Sequence, residues 1–374
     1  MSDSLILTPV DGAWADHFGL SVALSADGLT AIVGGPGDDV GGNIDQGSAR
    51  VFAWNGTNWV QRGAALTPSD GAGADNFGSA VALSADGTTA IVGGVGDGFA
   101  SSTSGEGSAR VFVWDGTAWS QRGNPLTPSD WSYYERWGWS VSLADDGLSA
   151  IISTPMDNVG ANTWQGSARI FDWTGSSWVQ RGDLITRPSN IVNDEDEFWG
   201  LSSAISADGT IAIVGVRNDP INSHAAQGSG RVFVWNGNSW IQRGNALTPT
   251  DGAQWDYFGT AVAISDDGST AIVGGNGDDI GLNQDQGSAR VFVWNGTTWI
   301  QRGDAITPLD GEANDQWGQS VSLSANGLTV VIGGLDDVGT KEDQGSARVF
   351  DWTGTNPSYS LHSRDSLTGM VQAS

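Results

Sequence analysis

From residue 260 to 265 small and apolar positions run to Asp267-Gly268, and a second apolar run returns over 270–274. Asp-Gly between two such runs signals a hairpin, because both turn residues need positive φ. With that pair as the turn, Ile264 is expected to face Ala271, and Val262 to face Val273. Ala261 and Ala263 make the other side of the strand apolar as well, which predicts a strand covered on both faces. A second hairpin is expected over 288–294 and 297–302, turning at Asn295-Gly296. In that register Phe292 lies opposite Trp299, and Arg290, Phe292 and Trp294 share one face.

This pattern repeats from end to end. Its Leu-Thr-Pro-like opening recurs around Thr8, Thr67, Thr127, Thr186, Thr248 and Thr307, with steps of 59 to 62 residues. First turns recur from Asp27-Gly28 to Asn326-Gly327, and second turns from Asn55-Gly56 to Thr353-Gly354. Two hairpins per copy cannot bury both faces alone, so the copies must stack. The expected fold is all-β: a six-bladed β-propeller of four-stranded antiparallel blades, forming one domain over residues 1–374. The repeats run 7–65, 66–125, 126–184, 185–246, 247–305 and 306–374. Residues 1–9 are expected to act as a closing strand in the last blade, together with residues 357–368. Of the 19 tryptophans, 11 fall at the second hairpins and are expected in the core.

Charge changes the picture next. Asp and Glu number 43 against 16 Lys and Arg, a formal charge of −27. Phosphate binding needs a basic face, so nucleic acid and anionic membranes are poor partners. No run is long and apolar enough to span a bilayer, so no membrane insertion is expected. The chain contains no cysteine, which excludes disulfides, thiolate zinc sites and cysteine nucleophiles. Its first residues lack the basic start and apolar run of a signal peptide.

The pairs Phe18-Gly19, Phe77-Gly78, Trp137-Gly138, Trp199-Gly200, Phe258-Gly259 and Trp317-Gly318 each open a first strand. About fifteen residues later come Gly34-Gly35-Pro36, Ser153-Thr154-Pro155 or Gly274-Gly275-Asn276. This arrangement resembles the FG-GAP repeat of integrin α-subunit propellers and of secreted microbial adhesion-type proteins, and the resemblance spans essentially the whole chain. It implies an adhesion or ligand-binding module on an extracellular or particle surface. The Asp-x-Asp-x-Asp-Gly calcium spacing found in some blades of that family is missing here.

The long loops are where function is expected. One joins the second strand of a copy to its third; the other joins one copy to the next. The first kind carries Asp38, Asp39 and Asp45 in copy one, Asp278, Asp279 and Asp285 in copy five, and Asp336, Asp337 and Asp343 in copy six. Such carboxylates could supply oxygens to Ca2+, and they could equally cap turns through their own backbone. Copies two and four lose the pattern, and copy three keeps Asp157 with Asn158.

An acid precedes each Phe/Trp-Gly pair: Asp16, Asp75, Glu135, Glu197, Asp256 and Asp315. An arginine follows each Ser-Ala or Ser-Gly: Arg50, Arg110, Arg169, Arg231, Arg290 and Arg348. Each acid is expected to meet one of these arginines, and each guanidinium to stack on a hairpin tryptophan. The aromatics Trp131, Tyr133, Tyr134 and Trp164 in copy three, with Trp14 and Trp255, break the repeat pattern in the loops. Aromatic faces beside acids and amides suit a sugar, so a glycan or protein ligand is expected. The alternative is a structural or host-contact component of a virion or appendage. A glycoside hydrolase would need two carboxyls acting together, and composition alone does not single out a pair. His17, His224 and His362 stand singly, with no catalytic grouping around them.

Overall fold

The structure is a computed structural model that describes residues 6–98, 105–187, 197–335, 345–354 and 359–361. Every assigned element among them is a strand. The strands form six four-stranded sheets, each with its strands in sequential order, and the fold is a β-propeller of antiparallel blades. The fifth blade shows the plan, with strands at Phe258–Ile264, Thr270–Gly275, Ser288–Trp294 and Trp299–Gln301.

Its first hairpin has the expected register, with Val262 paired to Val273 and Ile264 to Ala271. Its second differs from the expectation: Trp299 pairs with Trp294, and Phe292 with Gln301. The cause is Asn295, whose Oδ1 accepts the backbone N–H of both Thr297 and Thr298 at 2.9 Å. That side chain turns Asn295 to Thr298 into a four-residue loop rather than a two-residue one. The two tryptophans consequently sit across from each other, with ring centroids 5.5 Å apart.

The chain gathers into two compact units, residues 1–212 with 235–240, and residues 213–234 with 241–374. In the first unit, Ile32, Ala49, Val51 and Leu66 of blade one pack with Phe77, Val81, Leu83, Ala90, Val92 and Phe112 of blade two. Blade two offers Ile91, Ala109 and Val111 from its other face to Trp137, Val141 and Ile152 of blade three. In the second unit, Ile272, Ala289 and Val291 of blade five meet Trp317, Val330 and Phe350 of blade six. Each such Val, Leu, Ile or Phe side chain contributes about 1.5–3 kcal/mol when fully buried.

The fully buried tryptophans are Trp137, Trp199 and Trp317, at the Phe/Trp-Gly position. Those of the second hairpins, such as Trp54, Trp59, Trp294 and Trp299, are only half-buried. They serve as latches instead. Trp119 Nε1 donates to the carbonyl of Arg62 one blade back (2.9 Å), while Arg62 donates forward to Gly87 O (3.1 Å). Trp299 and Arg243 repeat this in the second unit, with Arg243 stacked 4.6 Å from the Trp294 centroid.

The fourth place in the sixth sheet is taken by Tyr359–Leu361, inside the stretch expected to help complete that blade. Of the expected closing strand, residues 1–5 lie outside the described residues, and residues 6–9 belong to no strand.

Candidate functional site

The two kinds of long loop run side by side. In the first unit Ala74 N donates to Ile44 O, Asn76 N to Asp45 O and Phe77 N to Gln46 O. The second unit repeats this with Asn314, Gln316 and Trp317 donating to Gln284, Asp285 and Gln286. To present alternate N–H groups, the inter-blade loop holds non-glycine residues at positive φ, among them Tyr134 (65°), Trp255 (73°) and Tyr257 (57°). Bulky side chains rarely adopt that region, and such strain collects where a site needs a fixed geometry.

Beneath these loops the repeated arginines sit between two aspartates. Arg50 bridges Asp11 (2.8 Å) and Asp38 (3.2 Å), and Arg110 bridges Asp70 (2.8 Å) and Asp97 (2.7 Å). Arg169 takes Asp130 and Asp157, Arg290 takes Asp251 and Asp278, and Arg231 and Arg348 pair with Asp219 and Asp310. The expected partners, the acids before Phe/Trp-Gly, are used differently. Asp16, Asp75, Asp256 and Asp315 each accept the backbone N–H three residues back, and Glu135 accepts from Ser132. Glu197 does pair with an arginine, but that arginine is Arg187. The stacking expectation is corrected as well. Arg169, Arg290 and Arg348 lie over Trp137, Phe258 and Trp317 of their own blades, while the hairpin tryptophans receive Arg62, Arg122, Arg181, Arg243 and Arg302.

Burial raises the carboxyl of Asp75 to about 6 and that of Asp256 to about 7, and it also raises Glu135. An unfolded aspartate titrates near ~3.9. The folded state therefore holds the Asp256 proton more tightly, and its contribution to stability is full below pH ~4 and lost as pH rises through about 7. Asp256→Asn keeps an acceptor for Ala253 N–H and removes the titration. Its melting temperature should exceed that of the parent at pH 8, with the gap narrowing toward pH 5. Parallel profiles between those pH values would refute the assignment.

The acidic loops divide their aspartates between separate tasks. Asp38 and Asp278 accept from Ser48 and Ser288 and pair with Arg50 and Arg290. Asp39 and Asp279 each accept one backbone N–H, from Asp45 and Asp285 (2.9 Å). Among the described residues no three His, Asp or Glu side chains gather as a metal ligand set. In each described set one carboxylate is thus on an arginine and another closes the loop. Asp336, Asp337 and Asp343 lie outside the described residues, as does His362.

The loop aromatics are exposed as the sequence suggests. Trp131 and Tyr133 meet edge to face at 6.1 Å. Trp164 holds the place that Asp45 and Asp285 hold elsewhere, and its N–H bonds Asn158 Oδ1 (3.0 Å). Asn158 Nδ2 in turn donates to Ser132 Oγ (2.8 Å), which ties the Trp164 loop to the Trp131–Tyr134 loop. Trp14 stands apart, 96% exposed in a hollow that Pro9 and His17 also line. Trp255 meets Tyr257 at a tilt of 56° with ring centroids 6.2 Å apart, and Arg217 covers Tyr257 with its guanidinium 3.6 Å from the ring centroid. The sequence reading missed Arg217 and Tyr257. The available signal is that copy four has Pro220 and Ala226 where copy one has Asp39 and Asp45, and Arg217 where it has Pro36.

The FG-GAP repeat model matches residues 2–52, 59–112, 241–292 and 301–350, more than half of the chain. The chain belongs to the FG-GAP repeat family. Within this FG-GAP protein, the loops bearing Trp131, Tyr133, Tyr134, Trp164 and Arg217 fall in residues 113–240, outside the matched segments. Among solved structures, hydrazine synthase of Kuenenia stuttgartiensis is similar over 87% of this chain and 82% of its own, with 13% identity and a TM-score of 0.50. That likeness is one of fold alone. No curated protein matches the chain.

Proposed function

We propose that this FG-GAP propeller is a non-catalytic module, displayed on a cell or particle surface, that binds a glycan or protein through its long loops. The observation that carries this reading is the blade-three cluster, where Trp131, Tyr133, Tyr134 and Trp164 stand exposed on two loops tied through Asn158 and Ser132. Exposed rings offer flat apolar faces to a sugar or an apolar side chain, and the neighbouring amides and acids take its polar groups. The carboxyls with raised pKa are withdrawn from solvent. Asp75 and Asp256 are buried, each with a side-chain oxygen on its own loop's backbone N–H.

A glycan array probed with the purified chain, in calcium and after chelation, tests this. A selective signal should appear in both conditions and fall at least about ten-fold in the Trp131, Tyr133, Tyr134 triple alanine variant, since each aromatic contact is worth about 0.5–1.5 kcal/mol. A signal unchanged in that variant would move the site elsewhere.

A second reading is a structural component of a virion or appendage, in which the propeller is an assembly or host-contact module. A blank array together with a native mass far above the monomer would favour it.

A further inference from the structure

We infer that Arg217, His224, Trp255 and Tyr257 form a second binding site, specific for an acidic saccharide whose carboxylate sits on Arg217. The inference extends the loop-binding reading to another pair of loops and rests on that reading only for Trp255.

Charge isolates this place. The protein is strongly acidic, and the repeated arginines Arg50, Arg110, Arg169 and Arg290 are bound to aspartates. Arg217 instead lies over the Tyr257 ring, its guanidinium carbon 3.6 Å from the centroid, with no ion pair among the described residues. Half-burial without a counter-ion pulls its pKa below the ordinary arginine value. The acids in these two loops are engaged. Asp219 holds Ser229 and Arg231, Asp251 holds Arg290, and Asp256 holds Ala253 N–H. Asp39 and Asp45 of copy one, the first exposed and the second half-buried, are Pro220 and Ala226 here. A carboxylate brought to Arg217 would therefore find in-plane N–H donors and little repulsion nearby.

The rest of the site has the form of a sugar platform. Tyr257 is fixed between Arg217 and the backbone at Gly277, where an added Cβ would lie 2.7 Å from its ring. Trp255 and Tyr257 are locked by N–H bonds to Ala225 O and Ala226 O (3.1 Å each), both at positive φ. Trp255 stays half exposed and leaves a face for a pyranose ring. His224 Nδ1 lies 3.0 Å from Gly252 O. A carbonyl only accepts, so Nδ1 carries the proton, and Nε2 at the exposed edge is left to accept a hydroxyl.

The test titrates the whole chain with tetragalacturonate, its methyl ester, a sulfated tetrasaccharide of the same length and a tetraglutamate peptide. The acid should bind about ten-fold or more tighter than the ester, a comparison that needs no variant. Arg217→Gln should remove that preference while leaving the ester's weak affinity unchanged, and Arg217→Lys should restore only part of it. Trp255→Ala should weaken both sugars, and the Trp131, Tyr133, Tyr134 triple variant should weaken neither. Equal binding of acid and ester overturns the proposal. So does a preference for sulfate over carboxylate, or a peptide that binds as tightly as the sugar and ignores Trp255→Ala. If the acid binds here while the blade-three variant changes nothing on the array, the proposed function fails at its main cluster and this inference stands. If neutral glycans bind at blade three and the acid gains nothing, the reverse holds.

Discussion

Arg290→Ala should lower the unfolding free energy by about 3–5 kcal/mol, the loss expected when one partner of a buried ion pair is removed. Arg290 is 4% exposed and Asp278 6% exposed, so the variant leaves the Asp278 carboxylate away from water with only Ser288 for company. The guanidinium also lies 5.8 Å from the Phe258 centroid, and the same variant removes that cation–π attraction. Asp251, the other partner, is largely solvated, so Asp251→Asn should cost below about 1 kcal/mol. Adding Asp278→Asn to Arg290→Ala should recover part of the loss, because it removes the stranded charge. Denaturant melts of the three variants check this. An Arg290→Ala midpoint within error of the parent would refute the ion pair's structural role.

The second large effect is expected at Gly274→Ala. A Cβ at Gly274 would stand 2.1 Å from the carbonyl oxygen of Gly318 in the next blade. A backbone oxygen cannot rotate out of the way, so the two sheets must separate, at about 3 kcal/mol or more. Copy three shows the exception and its mechanism. Ser153 holds the equivalent position and donates to Gly200 O (2.8 Å), and it also meets Ser203 Oγ (3.0 Å), where blade two has Val81. The close approach has become a hydrogen-bonded one there, so Ser153→Gly should cost only about 1 kcal/mol. Thermal melts of both variants give the comparison. A Gly274→Ala protein as stable as the parent would mean that the blades pack less closely than 2.1 Å implies.

Much of the fold was legible because the signals are local. Asp267-Gly268 fixed the pairing of Val262 with Val273 through turn geometry. Asn295-Gly296 misled, since the asparagine side chain captured two N–H groups and lengthened the loop, and that shifted Trp294 opposite Trp299. The exposure of Trp131, Tyr133 and Tyr134 was legible for a different reason. They replace residues of a repeat whose core positions were already filled.

The sequence by itself determined the number of blades and the first-hairpin register, because periodicity and turn chemistry act between residues close in the chain. Only the tertiary structure decided which acid each arginine holds. Asp251 lies 39 positions before Arg290, and Asp256, nearer in sequence, turns to its own backbone. It also decided that Arg217 rests on Tyr257, 40 positions away. With 43 acids and six repeats, sequence spacing leaves many pairings open. The choice is made where neighbouring blades bring loops together and burial makes an unpaired charge expensive.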